Sequence, residues 1–331
     1  MEFGITFKGD ISPERTIALC KQAEAAGFDY VWFFDSHVLW PECYTTMAVC
    51  MRETERLRYG PCVTNPGVRD WTVAASTFAQ LNRLSGNRYD LGVGRGDSSR
   101  RVLGKKPLNL QTMVEFTRAC VDLAAGKKIE VDEREVELVW SHSPMPAWFA
   151  AYGPKALACA GEHADGLILQ LADPWLVKWF SKQALEAGEK AGRDMSKFRI
   201  MSAAPVWVGD LERGRAQTKW FPAMVGNHVA DLVEKYGKDG GGDVPERLVQ
   251  YIEGRKGYDY KHHADKNADH LDFISSDIID SFSILGDPAA HIHKLEELKR
   301  AGVTQFNIYL MCEEEERIVA EYGDHVLPHF R

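Results

Sequence analysis

The feature that most constrains the fold is an alternation. Short apolar runs that suit buried strands are each followed by an amphipathic stretch, and the unit recurs eight times along the 331 residues. Residues 2–7 make the first run, and Ser12-Pro13-Glu14 opens a helix with an N-cap, a proline in the first turn and an early acid. Gly27 closes that helix. Residues 29–35 are almost continuously apolar, as a strand buried on both faces should be, and a helix is predicted over 45–53. The unit repeats at 58–64 with 72–84, at 89–93 with 110–124, at 147–152 with 154–164 and at 166–170 with 174–191. It repeats again at 199–208 with 211–220, and a helix over 288–301 precedes a last strand at 305–311 and a terminal helix. Eight parallel strands in one chain close most naturally into a (β/α)8 TIM barrel; an open doubly wound sheet is the alternative.

Two segments break the rhythm. Ile129, Val131, Val136 and Leu138 flank the turn Asp132-Glu133-Arg134 and predict a small hairpin that decorates the surface. Residues 221–272 carry the cluster Gly240 to Gly242, two helix-like pieces and a polar His/Asp patch. A helical insertion of that length before the last strand suits a lid or an oligomer contact, so residues 1–331 read as a single domain.

Composition narrows the partners. A formal charge of -8, a pI near 5.8 and the lack of a long basic run argue against nucleic acid and favour a small molecule. Seven cysteines without a Cys-x-x-Cys pair suggest neither a disulfide framework nor a zinc knuckle, so the compartment reads as reducing. The first residues lack a basic region followed by a long apolar one, and no run of about 18 apolar residues occurs. A cytoplasmic protein is the expectation.

In a barrel the chemistry gathers at the carboxyl ends of the strands. Those ends carry Lys8 and Asp10, Asp35-Ser36-His37 with Trp40 nearby, and Cys62-Val63-Thr64-Asn65-Pro66. Later ends carry Arg95, Asp97 and Arg100, then Tyr152-Gly153-Pro154-Lys155, then Gln170 with Asp173. At the fourth tip Gly92, Gly94 and Gly96 allow a close backbone approach, and Arg95, Asp97, Arg100 and Arg101 supply the charges that an anionic, hydrogen-bonding ligand needs. A solvated loop is the plainer alternative there. At Gly153-Pro154-Lys155-Ala156 a strand runs straight into a helix, whose free N–H groups, dipole and Lys155 ammonium suit a phosphate. The spacing Gly92-x-Gly-x-Gly96 is not a dinucleotide fingerprint. His262, His263, Asp265, Asp269 and His270 are the one cluster with metal-ligand chemistry, set in a lysine-rich loop, while His291 and His293 fall inside a predicted helix. No metal is expected.

Gly4-Ile5, Ala23-Glu-Ala-Ala-Gly-Phe-Asp-Tyr-Val-Trp32, Leu91-Gly-Val-Gly-Arg-Gly-Asp97 and Ala164-Asp-Gly166 together resemble the bacterial luciferase-like flavin-dependent oxidoreductases. The resemblance runs from residue 1 to about 208 and resumes over 288–311. Within that superfamily it is nearest the methylenetetrahydromethanopterin reductase branch, and a group named for the deazaflavin coenzyme F-420 whose members often accompany dihydropyrimidine or hydantoin degradation enzymes. It implies a non-prolyl cis peptide at Cys62-Val63, shaped as a bulge behind a flavin-type ring resting over Val63 and Thr64. It also implies Asp35 and Asp97 near the ring, a phosphate on Gly153 to Ala156, and Trp40 at the substrate entrance. Two departures stand out: the Asp-His common at the second strand end in deazaflavin dehydrogenases is Asp35-Ser36 with His37 one place later, and their glutamate and asparagine after strand four become Asp97 and Arg100.

The expected function is a small-molecule oxidoreductase. It is either a monooxygenase using reduced FMN, fed by a flavin reductase, or a hydride-transferring reductase or dehydrogenase using coenzyme F-420. A pyrimidine or hydantoin-like heterocycle is the substrate class that the resemblance suggests, and a homodimer is the family's expectation. His37 is assigned the proton donor, with Asp35 and Asp97 beside it. The cofactor set is Cys62, Val63, Thr64, Asn65, Asp97, Tyr152, Gly153, Pro154, Lys155, Ala156 and Gln170; the substrate set is Lys8, Trp40, Arg95, Arg100 and Arg101. The rivals are a barrel hydrolase or lyase without a redox cofactor, using a metal on the 262–270 patch, and a non-catalytic flavin-binding accessory protein.

Overall fold

A computed structural model describes residues 1–225 and 274–331. Its strands are β1 (Glu2–Phe7), β2 (Tyr30–Phe33), β3 (Arg58–Pro61), β4 (Leu91–Val93), β5 (Ile129–Val131), β6 (Arg134–Val136), β7 (Ala147–Ala150), β8 (Gly166–Leu169), β9 (Arg199–Ala204), β10 (Val206–Val208), β11 (Ile284–Gly286) and β12 (Gln305–Tyr309). The helices are α1 (Pro13–Ala26), α2 (Cys43–Glu53), α3 (Trp71–Leu84), α4 (Ser98–Arg101), α5 (Leu110–Ala124), α6 (Pro154–His163), α7 (Pro174–Lys190), α8 (Leu211–Thr218), α9 (Ser276–Phe282), α10 (Pro288–Arg300) and α11 (Glu315–Glu321).

Eight strands form one parallel sheet in the order β3-β2-β1-β12-β9-β8-β7-β4. Its two ends meet: Tyr59 N donates to Arg88 O at 2.8 Å, Asp90 N to Tyr59 O at 2.8 Å and Thr64 N to Gly92 O at 2.9 Å. The sheet is therefore a closed barrel, and the open doubly wound alternative falls. Glycine makes this seam possible on both sides. A Cβ on Gly60 would stand 2.1 Å from Asp90 O, and one on Gly92 would stand 2.1 Å from Pro61 O. What Gly92 approaches is thus the neighbouring strand rather than a ligand.

The lower end of the barrel, where the strands begin, is held by a buried charge cluster. Asp90 accepts from Arg58 Nε at 2.8 Å, from Trp148 Nε1 at 2.8 Å and from Arg199 Nη2 at 2.9 Å. Arg199 also donates to the Tyr30 hydroxyl at 2.7 Å, and its guanidinium lies 4.2 Å from the Trp148 ring centroid. These residues come from the starts of β2, β3, β4, β7 and β9, so the cluster ties together strands far apart in the chain. Polar groups at this face of a barrel serve stability.

The expected run over 199–208 is broken. Pro205 has no N–H to continue a ladder, and the chain divides there into β9, which stays in the barrel, and β10, which leaves it to pair with β11. Neither β11 nor α9 was expected. The hairpin of β5 and β6 is present, with Ile129 opposite Val136. Of the expected 221–272 insertion, residues 226–272 lie outside the described residues, and with them the His262 to His270 patch. Residues 221–225 continue a helix from Trp220 into the core, where Phe221 and Val225 are fully buried.

Candidate functional site

At the carboxyl ends of β2, β3, β4, β7 and β8 lies a cavity of about 270 Å³. Its floor is the end of β3, where the Cys62-Val63 peptide is cis, as the resemblance implied. Val63 faces the cavity across Gly94; a Cβ on that glycine would lie 2.7 Å from Val63 Cγ2. Gly96 has a φ of +80° and packs on Asn65, whose Nδ2 donates to Ser99 Oγ at 2.9 Å. The Ser36 and Ser98 hydroxyls are 2.9 Å apart. The glycines of the fourth tip thus seat the short α4 against the ends of β2 and β3.

Asp35 stands on the cavity wall and is 4% exposed. Its Oδ2 accepts three hydrogen bonds: from Thr64 Oγ1 at 2.7 Å, from Tyr44 OH at 3.0 Å and from Arg69 Nη1 at 2.7 Å. The other arm of Arg69 reaches Glu42 Oε1 at 3.1 Å, and its guanidinium lies 4.5 Å from the Tyr44 ring centroid. Burial works against the Arg69 charge, but Asp35 outweighs it and the arginine's pKa is raised. Burial likewise raises the Tyr44 phenol, with Asp35 adding to the effect.

Beneath the opposite wall runs a chain of neutral donors and acceptors. Gln170 Nε2 donates to Tyr309 OH at 2.6 Å, Tyr152 OH donates to Gln170 Oε1 at 3.1 Å, and Gln170 N donates to Tyr152 OH at 2.9 Å. Tyr309 OH lies against the Cys62 thiol, which burial pushes up to about 12. Cys62 is therefore a neutral thiol at physiological pH and no nucleophile.

Helix α6 begins at the cavity's far side. Its N-cap is Gly153, with Pro154 at the first helical position, and no side chain caps it. Every other helix of eight or more residues among the described residues has a side-chain cap: Ser12, Glu42, Asp70, Asn109, Asp173, Asp210 and Asp287. The N–H groups of Lys155 and Ala156 have no partner in the described chain. Such a helix start fits an external anion.

Of the expected site residues, Asp35, Cys62, Val63, Asn65, Arg95, Asp97, Arg101, Tyr152, Gly153, Ala156 and Gln170 do line this one cavity. The others do not. His37 is exposed on the turn in which Leu39 N and Trp40 N both donate to Ser36 O, and the residue assigned as proton donor is not on the cavity wall. Lys8 is paired with Asp10 at 2.9 Å. Trp40 packs behind Phe34, ring centroids 5.4 Å apart, and it is Phe34 that lines the cavity. Arg100 is half-buried off the wall: its Nε donates to Lys106 O at 2.9 Å and its guanidinium covers Gly67. Thr64 is buried behind Asp35, Pro154 carries no N–H, and the exposed Lys155 side chain is off the wall. Asp97 and Arg101 form an ion pair, and Arg95 Nε donates to Leu108 O at 2.5 Å.

Sequence reasoning missed Arg69, Tyr44, Phe34 and Met224. Nothing in the loop 66–70 distinguishes Arg69 from a solvated arginine, because its meaning depends on Asp35, which lies 34 residues earlier. Ser98 and Ser99, which also line the cavity, follow Asp97 directly in the sequence and were given no role there.

A family model described as luciferase-like monooxygenase matches residues 1–305. Among curated proteins, the chain is 30% identical over 323 residues to the 5,10-methylenetetrahydromethanopterin reductase of Archaeoglobus fulgidus, covering 92% of each. It is 24% identical over 345 residues to the F420-dependent glucose-6-phosphate dehydrogenase of Nakamurella multipartita, covering 96% of this chain and 93% of that one. Among solved structures, the coenzyme F420 dependent tetrahydromethanopterin reductase of Methanopyrus kandleri superposes with a TM-score of 0.81 at 24% identity, over 100% of this chain and 99% of the other. None of these comparisons supports the hydrolase alternative.

Proposed function

We propose, from the premise that this chain belongs to the luciferase-like monooxygenase family, that it is an oxidoreductase using coenzyme F420 to move hydride to or from a small molecule. The observation that carries the reading is a juxtaposition across one cavity. On one side is Val63 at the end of β3, which offers an apolar surface for a ring to rest on; on the other is the uncapped start of α6, which offers amides to an anionic tail. The choice of the deazaflavin over FMN rests on the relatives, since curated proteins named as F420-dependent enzymes match over nearly the whole chain.

When bound, either ring supplies the redox chemistry, the deazaflavin as a hydride carrier and FMN with oxygen reactivity besides. The chain's own residues bind, orient and exclude water. Val63, Ala150 and Phe34 wall the cavity with apolar surface, the N–H groups of Lys155 and Ala156 would hold the phosphate, and Arg95 adds positive charge to the wall. Burial raises the Tyr152 phenol, so at neutral pH it donates a hydrogen bond rather than accepting a proton. With His37 outside the wall and Asp97 ion-paired with Arg101, the Ser36 and Ser98 hydroxyls, 2.9 Å apart, are the groups on the wall placed to pass a proton.

The test is a spectroscopic titration of the purified full chain with coenzyme F420 and with FMN. Micromolar or tighter F420 binding, and weaker FMN binding, is the expected result. Tight FMN binding without F420 binding would overturn the reductase reading in favour of a monooxygenase supplied by a flavin reductase.

A further inference from the structure

Resting on that reading, we infer that Arg69 is a positioning residue: it locks Asp35 through Oδ2 so that Oδ1 is presented to the cavity as the acceptor for the imide N–H of the bound ring. Flavin and deazaflavin rings both carry that N–H.

Three independent observations converge on it. All three hydrogen bonds to Asp35 fall on a single oxygen, and among the described residues none falls on Oδ1. A carboxylate accepts on both oxygens, and one held through a single oxygen is oriented rather than merely neutralised. Thr64, one of the three donors, is next to Val63, so the carboxylate is one residue removed from the ring's rest. Finally, Arg69 is itself held in place. Its second arm binds Glu42, which accepts from Thr45 N at 3.0 Å and Thr45 Oγ1 at 2.7 Å at the start of α2, and its face lies on Tyr44. The planar guanidinium fork thus spans from a helix cap to a cavity carboxylate, a geometry that a lysine reproduces only in part.

The experiment measures the dissociation constant of coenzyme F420 by fluorescence for the wild-type chain, Arg69→Met, Arg69→Lys, Asp35→Asn and the double variant R69M/D35N, with melting curves for each. Loss of an oriented charged acceptor is expected to weaken binding about tenfold or more in R69M. R69K is expected to recover part of that loss, and R69M is expected to add less than about twofold in the D35N background, because the arginine acts only through Asp35. A ring methylated at the imide nitrogen should bind the wild type and R69M about equally. Equal losses in R69M and R69K, or the same R69M effect with and without Asp35, would show a purely structural clasp and overturn the inference. A wild-type chain that binds neither ring would instead overturn the functional reading itself, and this inference with it. If R69M melts too early to titrate, R69K and D35N alone still decide the matter: undiminished binding in D35N overturns the inference.

Discussion

Gly94 and Val63 compete for one space: a Cβ on the glycine would lie 2.7 Å from Cγ2 of the valine that follows the cis peptide. Since Val63 is the proposed rest for the ring, the strand-four glycine sets its height. Gly94→Ala should therefore force Val63 into the cavity, weakening F420 binding about tenfold while costing about 1 to 3 kcal/mol of stability. Titration alongside denaturant melts checks both parts; unchanged binding would mean that Val63 does not touch the ring.

Ala156 occupies the third helical position of α6 and lines the cavity. An aspartate there sits where an acid complements the helix dipole, so Ala156→Asp should leave stability unchanged or raise it by up to about 1 kcal/mol. The same carboxylate would repel a phosphate held on the adjacent N–H groups. F420 and FMN binding should both weaken by about tenfold or more, and equilibrium titration at low and high salt measures it.

His291 is fully buried, its Nδ1 2.8 Å from the Tyr322 hydroxyl and its Nε2 3.1 Å from the Trp207 carbonyl. Nε2 therefore carries the proton and donates, and Nδ1 accepts. Burial lowers the folded-state pKa from 6.5 to about 4, so protons bind the unfolded chain more readily. The resulting stability is fully present above about pH 6.5 and is lost as pH falls through about 4. It amounts to about 3 kcal/mol between pH 7 and pH 4. Urea melts over that range should show the loss in the wild type and a flatter dependence in His291→Gln, which starts less stable at pH 7.

Arg199 is one of two arginines on the fully buried Asp90. Arg199→Met should cost about 3 kcal/mol by leaving that charge undercompensated, yet F420 binding should hold within about twofold, because the cluster lies at the end of the barrel opposite the cavity. Chemical denaturation and the same titration separate the two effects.

The expected His37 donor and the observed Arg69 illustrate how far a linear reading reaches. The Asp35-Ser36-His37 string marks a strand end correctly, and Asp35 does face the cavity. Whether the next side chains point in or out depends on the turn that Ser36 O makes with Leu39 N and Trp40 N, a local geometry with no composition signal. Arg69 needed the opposite knowledge: its partner is remote in sequence and adjacent in space.

What the order of residues determined by itself was periodic and local: eight apolar runs with their helices, the Ser12 cap, the break at Gly27 and the helix start at Gly153. These follow from backbone sterics and hydrogen-bonding demands within a few residues of one another. Only the closed barrel decided which strand ends share a cavity, why Gly60 and Gly92 must be small, and which oxygen of Asp35 is spent. Those are distances between segments dozens to hundreds of residues apart, set when the sheet's two edges bond and no side chain is left free to choose its neighbours.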